Sequence, residues 1–178
     1  MRINSGIYKF RKIQLPADIR PTTEKVREAI FSMVMNTVPD ANVLDLFAGS
    51  GVLGLEALSR GARHCWFNDL DRKHVAILRE NISNCKAEEV SSVSNKDFRR
   101  CLTSLEEEMD LILLDPPYRS GFYQEAIETI LEMGLLSEDG VIVAEHLYEI
   151  PLPEEISGLK RIKSKKYGTI GVDIYAKP

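Results

Sequence analysis

Asp45-Leu46-Phe47-Ala48-Gly49-Ser50-Gly51-Val52-Leu53-Gly54 decides the fold of this chain. The run from Val43 to Phe47 is short and apolar and reads as a strand. Val52 to Ser59 reads as a helix ending near Gly61. Three glycines in the pattern Gly-x-Gly-x-x-Gly join the two. They allow a tight turn and a close backbone approach to a ligand at the helix N-terminus. Asp69 follows 20 residues after Gly49, at the end of a second expected strand from His64 to Asn68. A carboxylate there can hold two ribose hydroxyls.

Strand and helix alternate through the rest of the chain. Helices are expected over Arg72 to Asn84, Phe98 to Leu105 and Phe122 to Met133. Strands are expected over Val90 to Ser94, Met109 to Leu114 and Val141 to Ala144, with two more around Gly168 between Lys160 and Ala176. Met109 to Leu114 is almost wholly apolar, as a strand covered on both faces should be. The alternation implies an α/β fold: a mainly parallel sheet, helices on both faces, and an antiparallel terminal hairpin. Before it, Val26, Ala29, Ile30, Met33 and Val34 mark one face of a helix, with Thr22-Thr23 as its N-cap region and Pro39-Asp40 as its close. Residues 1–20 read as a short N-terminal β arm and 21–178 as the main domain, with Pro21 punctuating the chain between them.

Ligands of such sheets bind beyond the carboxyl ends of the strands, so the polar residues there are the informative ones. Asp45 faces the loop from its strand side. A pyrophosphate beside it would be repelled by about 4 kcal/mol for two charges ~4 Å apart at an effective dielectric of ~20. S-adenosylmethionine carries an ammonium and a sulfonium and welcomes that charge. Asp-x-Phe-x-Gly-x-Gly therefore points to a methyltransferase loop, with Asp45, Phe47, Gly49, Gly51 and Asp69 as cofactor-binding residues. Asp71 fits a helix N-cap better than a ribose contact. Asp97 can accept from the adenine amino group and Phe98 can pack on its ring. A helix cap and a core phenylalanine are the alternative for this pair.

Asp115-Pro116-Pro117-Tyr118 follows the most apolar strand. An exocyclic amine on a base is flat and weakly nucleophilic, because its lone pair is delocalised. Two acceptors aimed at its N–H bonds orient that lone pair toward a methyl donor. The Asp115 carboxylate and the Pro116 carbonyl are two such acceptors. The prolines offer no N–H and stiffen the loop. Tyr118 gives a flat face for a flipped base. Asp115, Pro116 and Tyr118 are the candidate catalytic residues, and the acceptor is an amino nitrogen of guanine, adenine or glutamine.

Composition narrows the class further. Hydrophobic residues make up 44% and charged residues 28% of 178, ordinary for a globular domain. The N-terminus has no apolar signal core and no run spans a membrane, so a cytoplasmic protein is expected. Cys65, Cys85 and Cys101 are widely spaced and suggest neither a metal site nor a disulfide framework. His64, His74 and Trp66 read as structural or surface residues. The net charge is −4, yet basic residues cluster at both ends. Arg11 and Arg27 lie in the first cluster and Lys163, Lys165 and Lys166 in the second. The two would form one phosphate-binding face if they met in space.

Arg20-Pro21-Thr22-Thr23-Glu24-Lys25-Val26-Arg27-Glu28-Ala29-Ile30-Phe31, the glycine loop, Asp115 to Tyr118, Glu145-His146 and Lys166-Tyr167-Gly168 together resemble the bacterial 16S rRNA (guanine-966)-N2 methyltransferases. The resemblance covers essentially the whole chain. It implies a seven-stranded Rossmann-like methyltransferase fold, S-adenosylmethionine as donor, and a guanine of 16S rRNA, free or in the small ribosomal subunit, as acceptor. It also implies that the arm contacts RNA, and that Thr22, Thr23 and Arg27 lie near cofactor or RNA, with a helix cap and an exposed arginine as the alternative. One departure stands out: the family's glycine between Lys9 and Arg11 is Phe10 here. Adenine-N6 methylation, glutamine-N5 methylation of a protein (such enzymes usually carry Asn at the place of Asp115) and a non-catalytic RNA-binding assembly role are the competing readings.

Overall fold

A computed structural model describes residues 1–20 and 22–178; Pro21, expected to punctuate the chain, lies outside the described residues. Helix α1 (Glu24–Met33) begins where Thr23 Oγ1 accepts from Val26 N–H at 3.2 Å. It stops well short of Pro39, and the turn that follows buries Val34 and Val38. Then come β1 (Asn42–Asp45), α2 (Val52–Ser59), β2 (His64–Asn68), α3 (Arg72–Asn84), β3 (Ser91–Ser94), α4 (Phe98–Ser104), β4 (Met109–Leu114), α5 (Phe122–Glu132), β5 (Leu136–Leu147), β6 (Glu155–Ile156), β7 (Leu159–Tyr167) and β8 (Ile170–Ala176). Asp71 caps α3 through the Lys73 and His74 amides, and Asp97 caps α4 through Arg99 N–H.

All eight strands form one sheet in the order β3-β2-β1-β4-β5-β8-β7-β6. The pairs from β3 to β5 are parallel; β8, β7 and β6 add antiparallel pairs. The expected seven strands are thus eight. The added β6 is two residues long in a Pro-containing stretch with no alternation to betray it. Strand β5 also starts earlier than Val141, because its first part, Leu136 to Gly140, is polar and glycine-containing and pairs irregularly beside Met109. Among the described residues no helix is long and apolar enough to cross a membrane.

The sheet separates two apolar layers. Helices α1, α2 and α3 cover one face through residues such as Ile30, Phe31, Leu55 and Leu78. Helices α4 and α5 cover the other through Leu102, Ile127 and Ile130. Helix α2 is buried at every position. It fits because Gly54 lies flat on β2, where a Cβ would stand 2.3 Å from Phe67 Cε1.

The N-terminal arm is a docked loop with a single bridge, Arg2 to Lys12, rather than a full hairpin. Ile3, Tyr8 and Ile13 are buried. Asn4 and Ser5 amides donate to the Glu56 carboxylate at 2.9 and 3.1 Å, and Tyr8 N–H to Ser59 Oγ at 2.9 Å. Phe10 takes a left-handed conformation (φ 71°), which carries local backbone strain for a residue with a side chain.

Candidate active site

A cleft of about 610 Å³ opens at the carboxyl ends of β1, β2 and β4. Its floor is the glycine loop, where Gly49 and Gly51 have φ of 55° and 85°. Such angles are open to glycine and strained for side chains. Two outside groups hold the loop. Asp69 Oδ2 accepts from Gly49 N–H at 2.8 Å. Asn81, a residue that no motif marked, donates to the Ser50 carbonyl at 2.8 Å and exchanges hydrogen bonds with the Gln14 backbone. The arm is thereby tied to the loop.

Asp45 is buried beside the loop and accepts from Gly54 N–H at 3.1 Å. Burial pushes its carboxyl up to about 7; the Gly54 amide opposes this and the Asp69 charge adds to it. Asp69 also accepts from Asp71 N–H at 2.9 Å and lies 3.2 Å from His74 Nδ1. His74 Nε2 lies 3.0 Å from Asp18, so His74 joins the cleft wall to the segment before α1 and is more than a surface residue. Phe47, Phe98 and Phe122 form an aromatic wall, with Phe98 centred 5.4 Å from Phe47 and 5.0 Å from Phe122. Asp97 lines the cleft, but its side chain also caps α4 and pairs with Arg99.

Asp115, Pro116, Pro117 and Tyr118 border the same cleft. Burial pushes the Asp115 carboxyl well above the ordinary range, and the Glu145 and Asp45 charges act in the same direction. Tyr118 OH donates to Glu145 Oε1 at 3.3 Å, and Thr22 Oγ1 donates to Glu145 Oε2 at 2.8 Å. Burial foremost, then Glu145, raises the Tyr118 phenol. Glu145 was legible only as a polar strand end. Nothing in the sequence showed that it joins Tyr118 to Thr22 across 123 residues.

The basic residues of the two ends lie on different parts of the molecule. Arg27 is 1% exposed. Its Nη2 donates to the Arg2 carbonyl at 2.7 Å and to Asn4 Oδ1 at 2.6 Å, and its Nε stands 3.3 Å from Glu56. It anchors the arm and is buried, where the sequence had offered an exposed arginine. Arg11 donates to the Asn84 carbonyl at the end of α3. That is ten residues below His74, or about 15 Å at 1.5 Å per residue, so Arg11 lies away from the cleft. On β7, side chains alternate. Lys163 and Lys165 share one face, where Lys163 donates to the Met33 carbonyl at 3.2 Å. Lys166 points to the other, 4.6 Å over the Tyr148 ring.

The donor set fits S-adenosylmethionine. Asp45, Asp69 and Asp97 put carboxylates along a cleft whose loop carries no cation, which suits a sulfonium and an ammonium and repels a pyrophosphate. The aromatic wall suits an adenine face.

Ribosomal RNA small subunit methyltransferase D of Escherichia coli (strain K12) is 33% identical over 177 residues, 98% of this chain and 89% of that protein. A solved structure of a conserved hypothetical protein from Streptococcus pyogenes is 38% identical with a TM-score of 0.82, over 86% of this chain and 96% of that one. An RNA methyltransferase from Salinibacter ruber, solved in complex with S-adenosyl-L-homocysteine, shares the fold at 15% identity and a TM-score of 0.70, over 89% and 94% of the two chains. A family model described as conserved hypothetical protein 95 matches residues 1–176, and the chain belongs to that family of methyltransferase-like proteins, together with small-subunit rRNA methyltransferase D.

Proposed function

We propose that this protein methylates the exocyclic N2 nitrogen of a guanine, of the position-966 type, in 16S rRNA, free or within the small ribosomal subunit. The observation that carries the reading is the placement of Asp115 and Tyr118 on the border of an acid-lined cleft whose residues suit S-adenosylmethionine.

That cofactor supplies an electrophilic methyl group when bound. The residues of this chain do the rest. Asp45, Asp69 and the Gly49 to Gly51 backbone hold and orient the donor, and Phe47 and Phe98 flank its base. Asp115 and the Pro116 carbonyl accept from the two N2–H bonds, which turns the lone pair out of conjugation. The Tyr118 ring supports the guanine face, and Glu145 fixes that ring through its hydroxyl. Burial raises the Asp115 carboxyl, and the cationic charge of a bound cofactor favours its ionised, accepting form. Methylation makes the amine strongly acidic, so one N–H proton leaves readily and Asp115 stands beside it. Alignment in a rigid, acceptor-rich site supplies most of the acceleration.

The test is transfer of labelled methyl groups to small-subunit RNA or particles lacking the modification, followed by nucleoside mass spectrometry. Label in N2-methylguanosine is expected. Label in N6-methyladenosine, or in protein glutamine, would replace this reading.

A further inference from the structure

A second cavity, of about 420 Å³, lies next to the cleft. Tyr118 lines both. The loop that carries Asp115 runs on through Arg119 and Gly121 into α5, so the second cavity continues directly from the acceptor end of the first. Its walls are Tyr118, Tyr123, His146, Ile150, Leu152 and Ile156.

These walls are built rather than incidental. Tyr123 OH donates to the Glu145 carbonyl, which fixes its ring to the end of β5. His146 is buried with both ring nitrogens engaged: Nε2 lies 3.1 Å from Asp173 Oδ2, and Nδ1 lies 2.9 and 3.2 Å from the Leu147 and Ile150 carbonyls. Arg161 donates to the Leu152 carbonyl at 3.2 Å and Tyr175 OH to the Pro153 carbonyl at 2.5 Å, so the stretch between β5 and β6 is held from below. A preformed cavity with an aromatic ring and apolar sides suits a flat, mostly apolar ligand. At its rim Arg119, next to Tyr118 in the chain, is 71% exposed and paired with an exposed Glu149, a bond of little strength. Cations beside aromatic faces are the pattern of single-stranded nucleic-acid contacts.

We propose that this cavity takes the base of the nucleotide adjoining the methylated guanine, held by stacking with Arg119 on the neighbouring phosphate. The inference rests on the guanine reading above. A guanine drawn into the cleft against one side of Tyr118 places its neighbour at the opening of the second cavity. The interaction tolerates any base, because every base has a π-face. The site therefore contributes affinity and register, and leaves the choice of reacting base to the cleft.

Gln124 stands exposed at the rim on α5, so Gln124→Trp fills the cavity without burying a new group in the core, and Gln124→Ala serves as control. Two readouts are needed. In the first, short RNAs carry 2-aminopurine on either side of the acceptor guanosine. Wild-type protein should change the fluorescence at one flank only, and Gln124→Trp should abolish that change. In the second, methylation of small-subunit particles by Gln124→Trp should show KM raised about tenfold, the scale of one lost base stack, with kcat and S-adenosylmethionine affinity unchanged. A wild-type KM together with unchanged fluorescence overturns the inference. Loss of kcat at normal cofactor affinity also overturns it, because the cavity would then hold the reacting base itself. Wild-type protein that methylates no guanosine sinks the guanine reading instead, whatever Gln124→Trp does.

Discussion

Replacing Arg27 by Met separates the structural role of that residue from the RNA contact its sequence context suggests. The guanidinium is buried against Glu56, whose side chain is 0% exposed, and holds the arm through Arg2 and Asn4. Breaking a buried pair by removing one partner costs about 3–5 kcal/mol. Two features place this case at the low end. Glu56 keeps Arg60 Nε at 2.9 Å and the Asn4 and Ser5 amides, so its charge is not stranded. Arg27 itself leaves Nε and Nη1 without a hydrogen-bond partner among the described residues, so its own burial is already costly. A loss of ~3 kcal/mol corresponds to a fall in Tm of about 6–12 °C for a domain of this size. Thermal unfolding followed by circular dichroism measures it, and limited proteolysis should show the arm cut first. Methyl transfer per folded molecule, measured at low temperature, should stay near wild type. An unchanged Tm together with weaker RNA binding and a smaller salt slope would refute the reasoning and return Arg27 to the RNA surface.

Asp45 makes stability and cofactor binding depend on pH in opposite directions. Its folded pKa, about 7, lies above the unfolded value near 3.8. Stability from the neutral form is therefore complete below pH ~4 and is lost as pH rises through ~7. The cationic cofactor selects the ionised form, so S-adenosylmethionine affinity should rise about tenfold between pH 6 and 8 in calorimetry, and Asp45→Asn should weaken binding and flatten the profile; a pH-independent wild type contradicts this. Phe10→Gly should relieve the left-handed backbone at an exposed residue and raise stability by about 1 kcal/mol, so a lower Tm would mean that the ring packs usefully. Neutralising Lys163, Lys165 and Lys166 to Ala should weaken RNA binding and reduce the log–log salt slope by up to ~0.9 per lost phosphate contact. Testing Lys166 apart from the other two tells which face of β7 meets RNA, and an unaltered slope in both would assign all three to plain surface.

The parts of the fold legible in the sequence are those governed by local pattern. The bounds of α2, β2, α3 and β4 follow from apolar periodicity between glycine, aspartate and proline stops, and the residues at each strand end fall where a parallel sheet must put them. What escaped depends on pairing between distant segments. The two-residue β6 exists only because β7 runs beside it. The early start of β5 hides in Ser137 to Asp139, none of which is buried. Charge was the weakest guide. Arg27 looks like any exposed basic residue on a helix until Glu56, 29 residues later, proves to be buried beside it. His74 and Glu145 gain their positions from partners in other segments, Asp18 and Thr22, and no spacing rule reaches so far.

The account stands on Asp115 as the acceptor that orients a guanine amine. The most direct measurement is nucleoside mass spectrometry of 16S rRNA from cells lacking this protein, complemented with wild type or with Asp115→Ala. Wild type should restore N2-methylguanosine at one small-subunit site. Asp115→Ala, purified and shown to bind S-adenosylmethionine normally, should restore almost none, with kcat lower by about 10²–10³, the scale of a lost transition-state hydrogen bond. Full restoration by Asp115→Ala, or no loss of N2-methylguanosine in the cells without the protein, would contradict it.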